Sequence, residues 1–394
     1  MNWRLLAIPA SIVPFLIMFI FTPVSLNDVF AVGLIPFILS AASMIVKIML
    51  QAYRFKYFID KFIGSNVGST GKIMSVRLAG EFVTQTTPSY VGGELVRIAW
   101  LTKNGVAAGK AAWVTTVEII ADVFVGTMLG LVAGAVAIYN GGIFIGVTVI
   151  IVVIPTLSFW LLLVIFSTKR NLRLPSFSLK ILQKFVAKEK AERLINTTNN
   201  AITDVCKMSR ENFNSIKAVR TFAVGIGITF IAFLFQGVSF VVLADSVGSH
   251  VGIFDSLMAT SASTVLGTLP ITIGGSGLAE LGIWAYISNL NSVPHFADVI
   301  KDSQLNVIIA WRIASYHIPL VVMWIALMKL TVGSKISITN PNISIFSFSH
   351  NVEPTLVDNN ASKKNNNNNN NKPLTRLVRI IKGSSRRKID VNKK

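Results

Sequence analysis

The sequence predicts an all-α polytopic membrane protein with about six full transmembrane helices and two re-entrant Pro-Gly-Gly helical hairpins. Three observations predict this class. The chain of 394 residues is 52% hydrophobic and 14% charged, with a mean hydropathy of +0.61, whereas about a quarter of the residues of soluble domains are charged. Its basic residues cluster between and after the apolar blocks. A broken segment containing proline and paired glycines occurs twice.

Six apolar stretches are long enough to cross a bilayer core of about 30 Å. The first is longer than the core of a signal peptide and lacks a small-residue cleavage site, so we expect it to be retained as a span. The second ends near Lys47 and the basic-aromatic run of residues 53–57. The predicted spans are Leu5–Leu26, Val29 to about Leu50, Ala111–Tyr139, Ile143–Phe166, Phe222–Ala244 and Leu305–Met328.

The two broken segments share the pattern Pro-x-x-x-Gly-Gly followed by a glutamate, and their prolines lie 182 positions apart (270 minus 88). Proline removes a backbone donor and disfavours helix at the residue before it, while glycine lets the chain turn and approach another backbone closely. Each segment therefore predicts two short helices joined by a broken turn. The expected turn residues are Pro88, Gly92, Gly93, Glu94 and Arg97 in the first segment, and Pro270, Gly274, Gly275, Gly277 and Glu280 in the second.

The distribution of basic residues predicts the orientation of the chain. Segments 53–77, 97–110 and 167–220 are basic, whereas the turn at 140–142 and the region 245–256 contain no Lys or Arg. We expect the protein to lie in the cytoplasmic membrane of a cell. The positive-inside rule then predicts that both termini are in the cytoplasm. The same distribution of basic residues predicts that the two Pro-Gly-Gly elements enter the membrane from opposite sides, as expected for an inverted repeat.

Two polar segments interrupt or follow the membrane domain, which we place at residues 1–332. Between Lys169 and Lys217 there are eleven basic and four acidic residues, a net charge of +7. We interpret 167–220 as a basic cytoplasmic segment between two halves, with an amphipathic helix at the membrane surface around residues 181–186. Residues 333–394 include an asparagine run and predict a disordered, basic cytoplasmic tail.

The third predicted span contains two acidic residues, Glu118 and Asp122, which share one helix face. A charged group at the centre of a span costs roughly 2.5–3.5 kcal/mol on insertion scales, so such residues normally face a cavity or a partner. One interpretation is a structural ion pair with Arg312 or Arg97. The other is a site for a headgroup amine or a proton.

The other polar residues near the broken segments also allow two interpretations. Arg312, with Tyr316 one turn later, is either a phosphate ligand or a counter-ion for the acidic pair. Glu94 and Glu280 are either partners of a helix dipole or substrate ligands. Arg77, Glu81 and Arg97 lie at the edges of the first segment, where an interfacial position is expected.

Composition and motifs exclude several classes of function. Cys206 is the single cysteine and the four histidines lack ligand spacing, so neither a disulfide nor a metal site is predicted. The sequence contains no nucleophile elbow, Walker loop or dinucleotide fingerprint. We therefore expect no enzymatic activity, no cofactor and no nucleic-acid binding, and we expect membrane lipids with anionic headgroups to contact the basic cytoplasmic face.

These polar positions resemble those of the flippase-like membrane region of lysylphosphatidylglycerol synthases. That region also occurs as free-standing bacterial and archaeal proteins, and beside glycosyltransferases of dolichol-type glycan pathways. The resemblance spans about residues 5–330. It is carried by Arg77-x-x-x-Glu81, Pro88-x-x-x-Gly92-Gly93-Glu94-x-x-Arg97, Glu118 with Asp122, Pro270-x-x-x-Gly274-Gly275-x-Gly277-x-x-Glu280, and Arg312-x-x-x-Tyr316.

The resemblance implies a protein that moves a lipid between leaflets, with re-entrant helices near the site. The resemblance does not extend to the aminoacyl-transferring domain of the full synthase, so we expect no lipid synthesis. The leading hypothesis is translocation of a phospholipid or a polyprenyl-phosphate-linked lipid, with the glycine turns and Arg312 or Arg97 receiving the phosphate. The alternatives are an ion- or proton-coupled transporter of a small solute, and a non-transporting scaffold for a lipid- or glycosyl-transferase partner.

Overall fold

The computed structural model describes residues 31–87, 92–170, 172–184, 186–249, 251–269, 273–290 and 304–333. Within these ranges the regular structure is helical throughout, and the predicted all-α polytopic fold is confirmed. The helices are α1 (Leu34–Phe62), α2 (Thr70–Thr86), α3 (Gly93–Lys103), α4 (Ala108–Tyr139), α5 (Ile143–Lys169), α6 (Ser176–Leu182), α7 (Lys188–Phe213), α8 (Ile216–Ser246), α9 (Ile253–Gly267), α10 (Leu278–Leu290), α11 (Gln304–Arg312) and α12 (Ile318–Gly333).

Five stretches within the described residues are long and apolar enough to cross a membrane. They are α1, α4, α5, α8 and the stretch Asn306–Leu330, in which α11 continues into α12 through a π-helical turn at Ile313–His317. The predicted span Leu5–Leu26 and the predicted tail lie outside the described residues. Helix α1 continues beyond the predicted end of the second span, through the basic-aromatic run to Phe62.

The spans differ in how much of their surface is buried. In the most apolar 18-residue stretch of α4 and of α8, 44% of the residues are buried inside the protein. In the corresponding stretch of α5 only 11% are buried, and its mean hydropathy is 2.9. A helix this apolar and this exposed is suited to contact with lipid tails on most of its surface. Helices α4 and α8 therefore form the interior of the bundle, with α1 packed along α8 and α5 packed along α4.

The helices that flank each Pro-Gly-Gly segment pack against each other, and we call each pair a hairpin; that these hairpins are re-entrant stays a prediction. Helix α2 ends at Thr86, and Thr87 adopts the extended backbone expected before a proline. Helix α3 packs back against α2, and α10 packs back against α9. The outer face of α2 packs on α12, where Leu78 and Phe82 meet Leu320 and Met323. The entry of the hairpins into the membrane from opposite sides stays a prediction.

The basic segment between the two halves carries a long helix that packs on the bundle. Helix α7 buries Ala191, Cys206 and Ser209, and it contacts both α4 and α5. The Ser209 hydroxyl lies 3.1 Å from that of Ser167 at the end of α5. The apolar face buried in the protein belongs to residues 188–213. Ile181 is 51% exposed, and the amphipathic helix at the membrane surface around residues 181–186 stays a prediction.

Candidate functional site

Three arginines converge on one buried carboxylate. Glu118 of α4 is 0% exposed, and it accepts hydrogen bonds from Arg54 Nη2 at 3.1 Å, from Arg77 Nε and from Arg97 Nη1. The three arginine side chains are themselves no more than 4% exposed. A carboxylate with this many charge-assisted bonds is held in one position, because each bond fixes a different guanidinium around it.

A second carboxylate extends the cluster towards the surface. Both terminal nitrogens of Arg54 donate to Asp122 at 2.7 Å, and Gln51 Nε2 donates to the same carboxylate at 3.2 Å. The Asp122 side chain is 28% exposed. Glu81 pairs with Arg77, and its side chain is 17% exposed. Glu94 lies 3.6 Å from Arg97, and its side chain is 27% exposed. We call this set the arginine–carboxylate network; it comprises Arg54, Arg77, Glu81, Glu94, Arg97, Glu118 and Asp122.

Helical spacing explains how four helices supply the network. Helix α2 contributes Arg77 and Glu81 four residues apart, and α3 contributes Glu94 and Arg97 three residues apart; both spacings place side chains on one face. The pair on α4 has the same four-residue spacing. Arg54 comes from α1 and was missed by the sequence analysis, which treated its basic-aromatic run as an interfacial flank.

A sequence signal for Arg54 was nevertheless present. Lys47, Gln51 and Arg54 follow one another at intervals of four and three residues and so lie on one face of α1. Lys47 Nζ donates to Gln236 Oε1 on α8. The Gln236 amide then donates to the Thr260 carbonyl at 3.1 Å and to Thr264 Oγ1 at 2.7 Å. This polar face of α1 thus reaches α9, the first helix of the second hairpin.

The backbones of the first hairpin touch at two glycines. A Cβ on Gly80 would lie 2.8 Å from the Gly93 carbonyl oxygen, and a Cβ on Gly93 would overlap the Gly80 carbonyl and Thr84 Oγ1. Gly92, at φ 125°, precedes the helix, and its N–H donates to Glu94 Oε2 at 2.9 Å. The glycines thus bring α3 against α2 and place Arg97 beside Glu118.

The second hairpin repeats the local arrangement with fewer charges. Gly277, at φ 86°, donates its N–H to Glu280 Oε2 at 2.8 Å. The other oxygen of Glu280 lies 2.9 Å from Arg312 Nε, and Arg312 Nη2 donates to the Gly274 carbonyl. Gly274 and Gly275 form a short 3₁₀ turn with positive φ values of 61° and 67°.

Tyr316 joins the two hairpins. Its hydroxyl donates to the Gln85 carbonyl near the end of α2 at 3.0 Å, and its ring stacks under the Arg312 guanidinium at 4.3 Å. A Cβ on Gly274 would overlap this tyrosine, so a glycine is needed for the close approach. Tyr316 lies in the π-helical turn, a distortion that is frequent at functional sites.

The predicted site residues fall into two groups in space. The first unites Gly92, Gly93, Glu94, Arg97, Glu118 and Asp122; the second unites Gly274, Gly275, Gly277, Glu280, Arg312 and Tyr316. Pro88 and Pro270 lie outside the described residues.

The structure corrects one expected ion-pair partner and one expected position. Arg312 pairs with Glu280 and not with Glu118 or Asp122. Of the two arginines proposed as partners of the acidic pair, Arg97 is the correct one, and it pairs with Glu118. Arg77 and Arg97 are not interfacial edge residues, because both are buried around Glu118. The physical reason is that Arg77 reaches Glu118 on α4, so the polar face of α2 turns inward.

Most hydroxyls of the hairpins satisfy backbone carbonyls. Thr86 donates to the Phe82 carbonyl at 2.8 Å, Thr264 to that of Thr260 at 2.9 Å, and Ser263 across the second hairpin to that of Ala279 at 2.7 Å. Among buried polar atoms of the described residues, Thr84 Oγ1 and the Nε atoms of Arg54 and Arg97 have no hydrogen-bond partner. Buried donors normally have a partner, so these three atoms are unusual within the described residues.

The described residues include no group of three or more His, Cys, Asp or Glu side chains placed to hold a metal ion. The arrangement instead offers guanidinium donors at its base and carboxylate acceptors at its margin. Such a pairing suits a molecule that carries both a phosphate and an amine, or a phosphate alone.

Comparisons with known proteins agree with this architecture. The sequence model of a family described as the lysylphosphatidylglycerol synthase TM region matches residues 6–322. A relative, a UPF0104 membrane protein of Archaeoglobus fulgidus, is 24% identical over 276 residues, which cover 68% of this chain and 78% of the relative.

Proposed function

This chain belongs to the family of the lysylphosphatidylglycerol synthase transmembrane region, and from that premise we propose that it translocates a lipid with a phosphate-bearing headgroup between leaflets. The substrate class is a phospholipid or a polyprenyl-phosphate-linked lipid. The proposed process is movement of a headgroup without a covalent step, so the chain acts as a translocase rather than an enzyme.

The observation that supports this proposal is the arginine–carboxylate network. It places seven ionisable side chains among helices that include two spans, α1 and α4. Each charged group inside a bilayer costs roughly 2.5–3.5 kcal/mol on insertion scales, and such groups mark substrate or ion pathways. A fold that needed only stability would pack apolar side chains here, because buried ion pairs are often no better than well-packed apolar groups.

The network divides into a fixed base and an accessible margin. Glu118 holds the three arginines and is a positioning residue, since it is fully buried. At the margin, Glu81, Glu94 and Asp122 are 17–28% exposed, and they would meet a headgroup amine. The unpartnered Nε donors of Arg54 and Arg97 are buried, so a headgroup phosphate would reach them only when the helices around them move apart.

The glycine turns have a supporting part in this proposal. The N–H groups of Gly92 and Gly277 already donate to Glu94 and Glu280. We therefore assign the phosphate to the guanidinium groups of the network rather than to these amides. The turns then serve to bring α3 and α10 close enough to their partner helices for the charged side chains to meet.

A scaffold function is favoured by a different observation: each carboxylate of the network already lies within 4 Å of an arginine. Under this alternative the network only holds the hairpin, and the basic cytoplasmic surface docks a lipid- or glycosyl-transferase. Loss of α7 would then abolish function, while changes in the network would act solely through stability.

The test is leaflet exchange in proteoliposomes that contain headgroup-labelled phosphatidylglycerol, phosphatidylethanolamine or a polyprenyl phosphate. We expect the wild-type protein to exchange one of these classes faster than empty vesicles. The Arg97→Gln protein should lose that exchange, and the Lys110→Gln protein, which changes an exposed charge of α4 outside the network, should keep it. Exchange at the level of empty vesicles for every lipid would contradict the proposal and favour the scaffold.

A further inference from the structure

A basic pocket lies apart from the arginine–carboxylate network, where three helices end or begin. It has a volume of about 540 Å³ and is lined by the end of α1, the end of α7 and the start of α8. This volume is within the 300–1,000 Å³ typical of ligand sites. Its polar lining comprises Tyr57, Lys61, Asn212, Lys217, Arg220 and Thr221, together with Ser215.

The charge of the pocket has one sign. Lys61, Lys217 and Arg220 contribute three positive charges, and none of the described residues that line the pocket is acidic. Within the part of the chain that the structure describes, these three side chains form no ion pair. Lys61 Nζ instead lies 5.9 Å from the ring of Tyr57. Their charge is therefore available to an anion.

The chemistry of the lining favours a phosphate. Arginine presents a planar fork of donors that matches phosphate oxygens, and lysine adds a compact point charge. Ser215 precedes α8 and makes no side-chain cap bond, so the first N–H groups of this helix add to the positive potential that the three side chains create. The assignment of a phosphate to this pocket rests on its shape and its three cations, and the start of α8 only adds to the positive potential.

The surroundings of the pocket favour a lipid as the source of that phosphate. Ile216, Val219 and Val224 lie beside it and are 88%, 49% and 43% exposed. Acyl chains could pack on these side chains while the headgroup occupies the pocket. Basic pockets between membrane helices on the cytoplasmic side are known to bind anionic headgroups, and the charge pattern predicts that α1 ends and α8 begins on that side.

We propose that this pocket binds the phosphate of an anionic phospholipid headgroup at the cytoplasmic surface. This assignment does not rest on the proposed translocation, because it uses none of the residues of the network. A lipid held here would seat the ends of α1, α7 and α8 on the inner leaflet.

The experiment measures the dissociation constants of short-chain lipids for the purified full chain in detergent by isothermal titration calorimetry. The probes are dioctanoyl phosphatidylglycerol, dioctanoyl phosphatidylcholine and inorganic phosphate. We expect phosphatidylglycerol to bind about tenfold or more tightly than either of the other two. The triple variant Lys61→Gln/Lys217→Gln/Arg220→Gln should weaken phosphatidylglycerol binding by a similar factor.

A matched control separates the pocket from diffuse surface charge. Lys169, Lys180 and Lys190 are exposed basic residues outside the pocket, and their triple change to Gln alters the net charge by the same amount. Retained binding by this control and loss in the pocket variant support the proposal. Equal weakening in both, or equal affinity for the two lipids, overturns it.

Two further outcomes are decisive. Inorganic phosphate that binds as tightly as phosphatidylglycerol would keep the phosphate chemistry and overturn the lipid source. If the triple variant is recovered unfolded, the single Arg220→Gln change, at an exposed position, replaces it. Unchanged phosphatidylglycerol affinity in that folded variant counts against the pocket.

Discussion

The two hairpins use the same local arrangement in different electrostatic surroundings. In each, a glycine N–H donates to a glutamate of the following helix, at 2.9 Å for Gly92 and at 2.8 Å for Gly277. In each, that glutamate also pairs with an arginine. The first hairpin, however, belongs to a network of seven charged side chains, whereas the second holds the single pair of Glu280 and Arg312 within the described residues.

This difference shows that the repeated motif sets the geometry of a turn but not the role of the hairpin. The additional charges of the first hairpin come from other helices: Arg54 from α1, and Glu118 with Asp122 from α4. The corresponding neighbours of the second hairpin are mainly apolar, since α10 packs in the cluster that includes Ile283, Ile287 and Ile308. We infer that the first hairpin carries the polar chemistry and the second supports it through Tyr316.

The largest expected difference between the hairpins is in the contribution to stability of the glutamate that pairs with their arginines, which is Glu118 of α4 for the first hairpin and Glu280 for the second. Glu118→Gln leaves three buried guanidinium groups without their common carboxylate, and removing one partner of a buried ion pair costs about 3–5 kcal/mol. Glu280→Gln affects one arginine that keeps its contacts with Gly274 and Tyr316, so we expect about 1.5–3 kcal/mol. The measurement is the free energy of unfolding of each purified protein in detergent.

Lys110→Gln is the control for this pair, because it removes an exposed charge from α4. We expect a change within about 0.5 kcal/mol of wild type. If Glu118→Gln and Glu280→Gln destabilise the protein equally, the two hairpins have equivalent electrostatic surroundings and the comparison fails.

Close backbone contact should also distinguish the hairpins. A Cβ on Gly93 would overlap the Gly80 carbonyl, so Gly93→Ala must separate α2 from α3, at a cost of about 3 kcal/mol. Gly277 has no other atom within 4 Å of its would-be Cβ, and Gly277→Ala therefore costs only the strain of a left-handed backbone, about 1 kcal/mol. Thermal unfolding in detergent measures both effects.

Gly71→Ala provides the baseline for these two substitutions. Gly71 lies in α2 with no other atom within 4 Å of its would-be Cβ. Alanine there should leave stability unchanged or raise it by about 0.5 kcal/mol, because alanine is the better helix former. A Gly93→Ala protein as stable as this control would contradict the described packing of α2 on α3.

The smallest predicted effect concerns the link between the hairpins. Tyr316→Phe removes the hydrogen bond to the Gln85 carbonyl and keeps the ring beneath Arg312. We expect a loss of about 1 kcal/mol in the free energy of unfolding. Tyr53→Phe, at a side chain that is 51% exposed, should cause none, and equal losses in the two variants would mean that the Tyr316 hydroxyl is not a link.

Sequence reasoning predicted the helical fold and the break in the helix before Pro88 because these depend on local features. Hydropathy and length mark α4, α5 and α8, and Thr87 before a proline marks the end of α2. The pairing of Glu118 with Arg97 was one of two open choices. Local features could not decide between Arg97 and Arg312, since that depends on which helices become neighbours in space.

Arg54 illustrates the same limit most clearly. Basic residues beside aromatic ones at the end of an apolar stretch usually mark a membrane interface, and the second span was therefore predicted to end before them. The helix continues, and Arg54 is buried because α4 presents two carboxylates to it and α8 presents Thr229. The polar spacing on α1 indicated a shared face, but only the fold identifies what that face contacts.

The most direct test of the central claim compares leaflet exchange by three folded variants in the same lipid mixture. The variants are Asp122→Asn at the margin of the network, Glu280→Gln in the second hairpin and Lys110→Gln outside both. We expect exchange to fall about tenfold or more for Asp122→Asn, to fall less for Glu280→Gln and to stay at the wild-type rate for Lys110→Gln. Wild-type exchange by a folded Asp122→Asn protein would contradict the assignment of the headgroup path to the first hairpin.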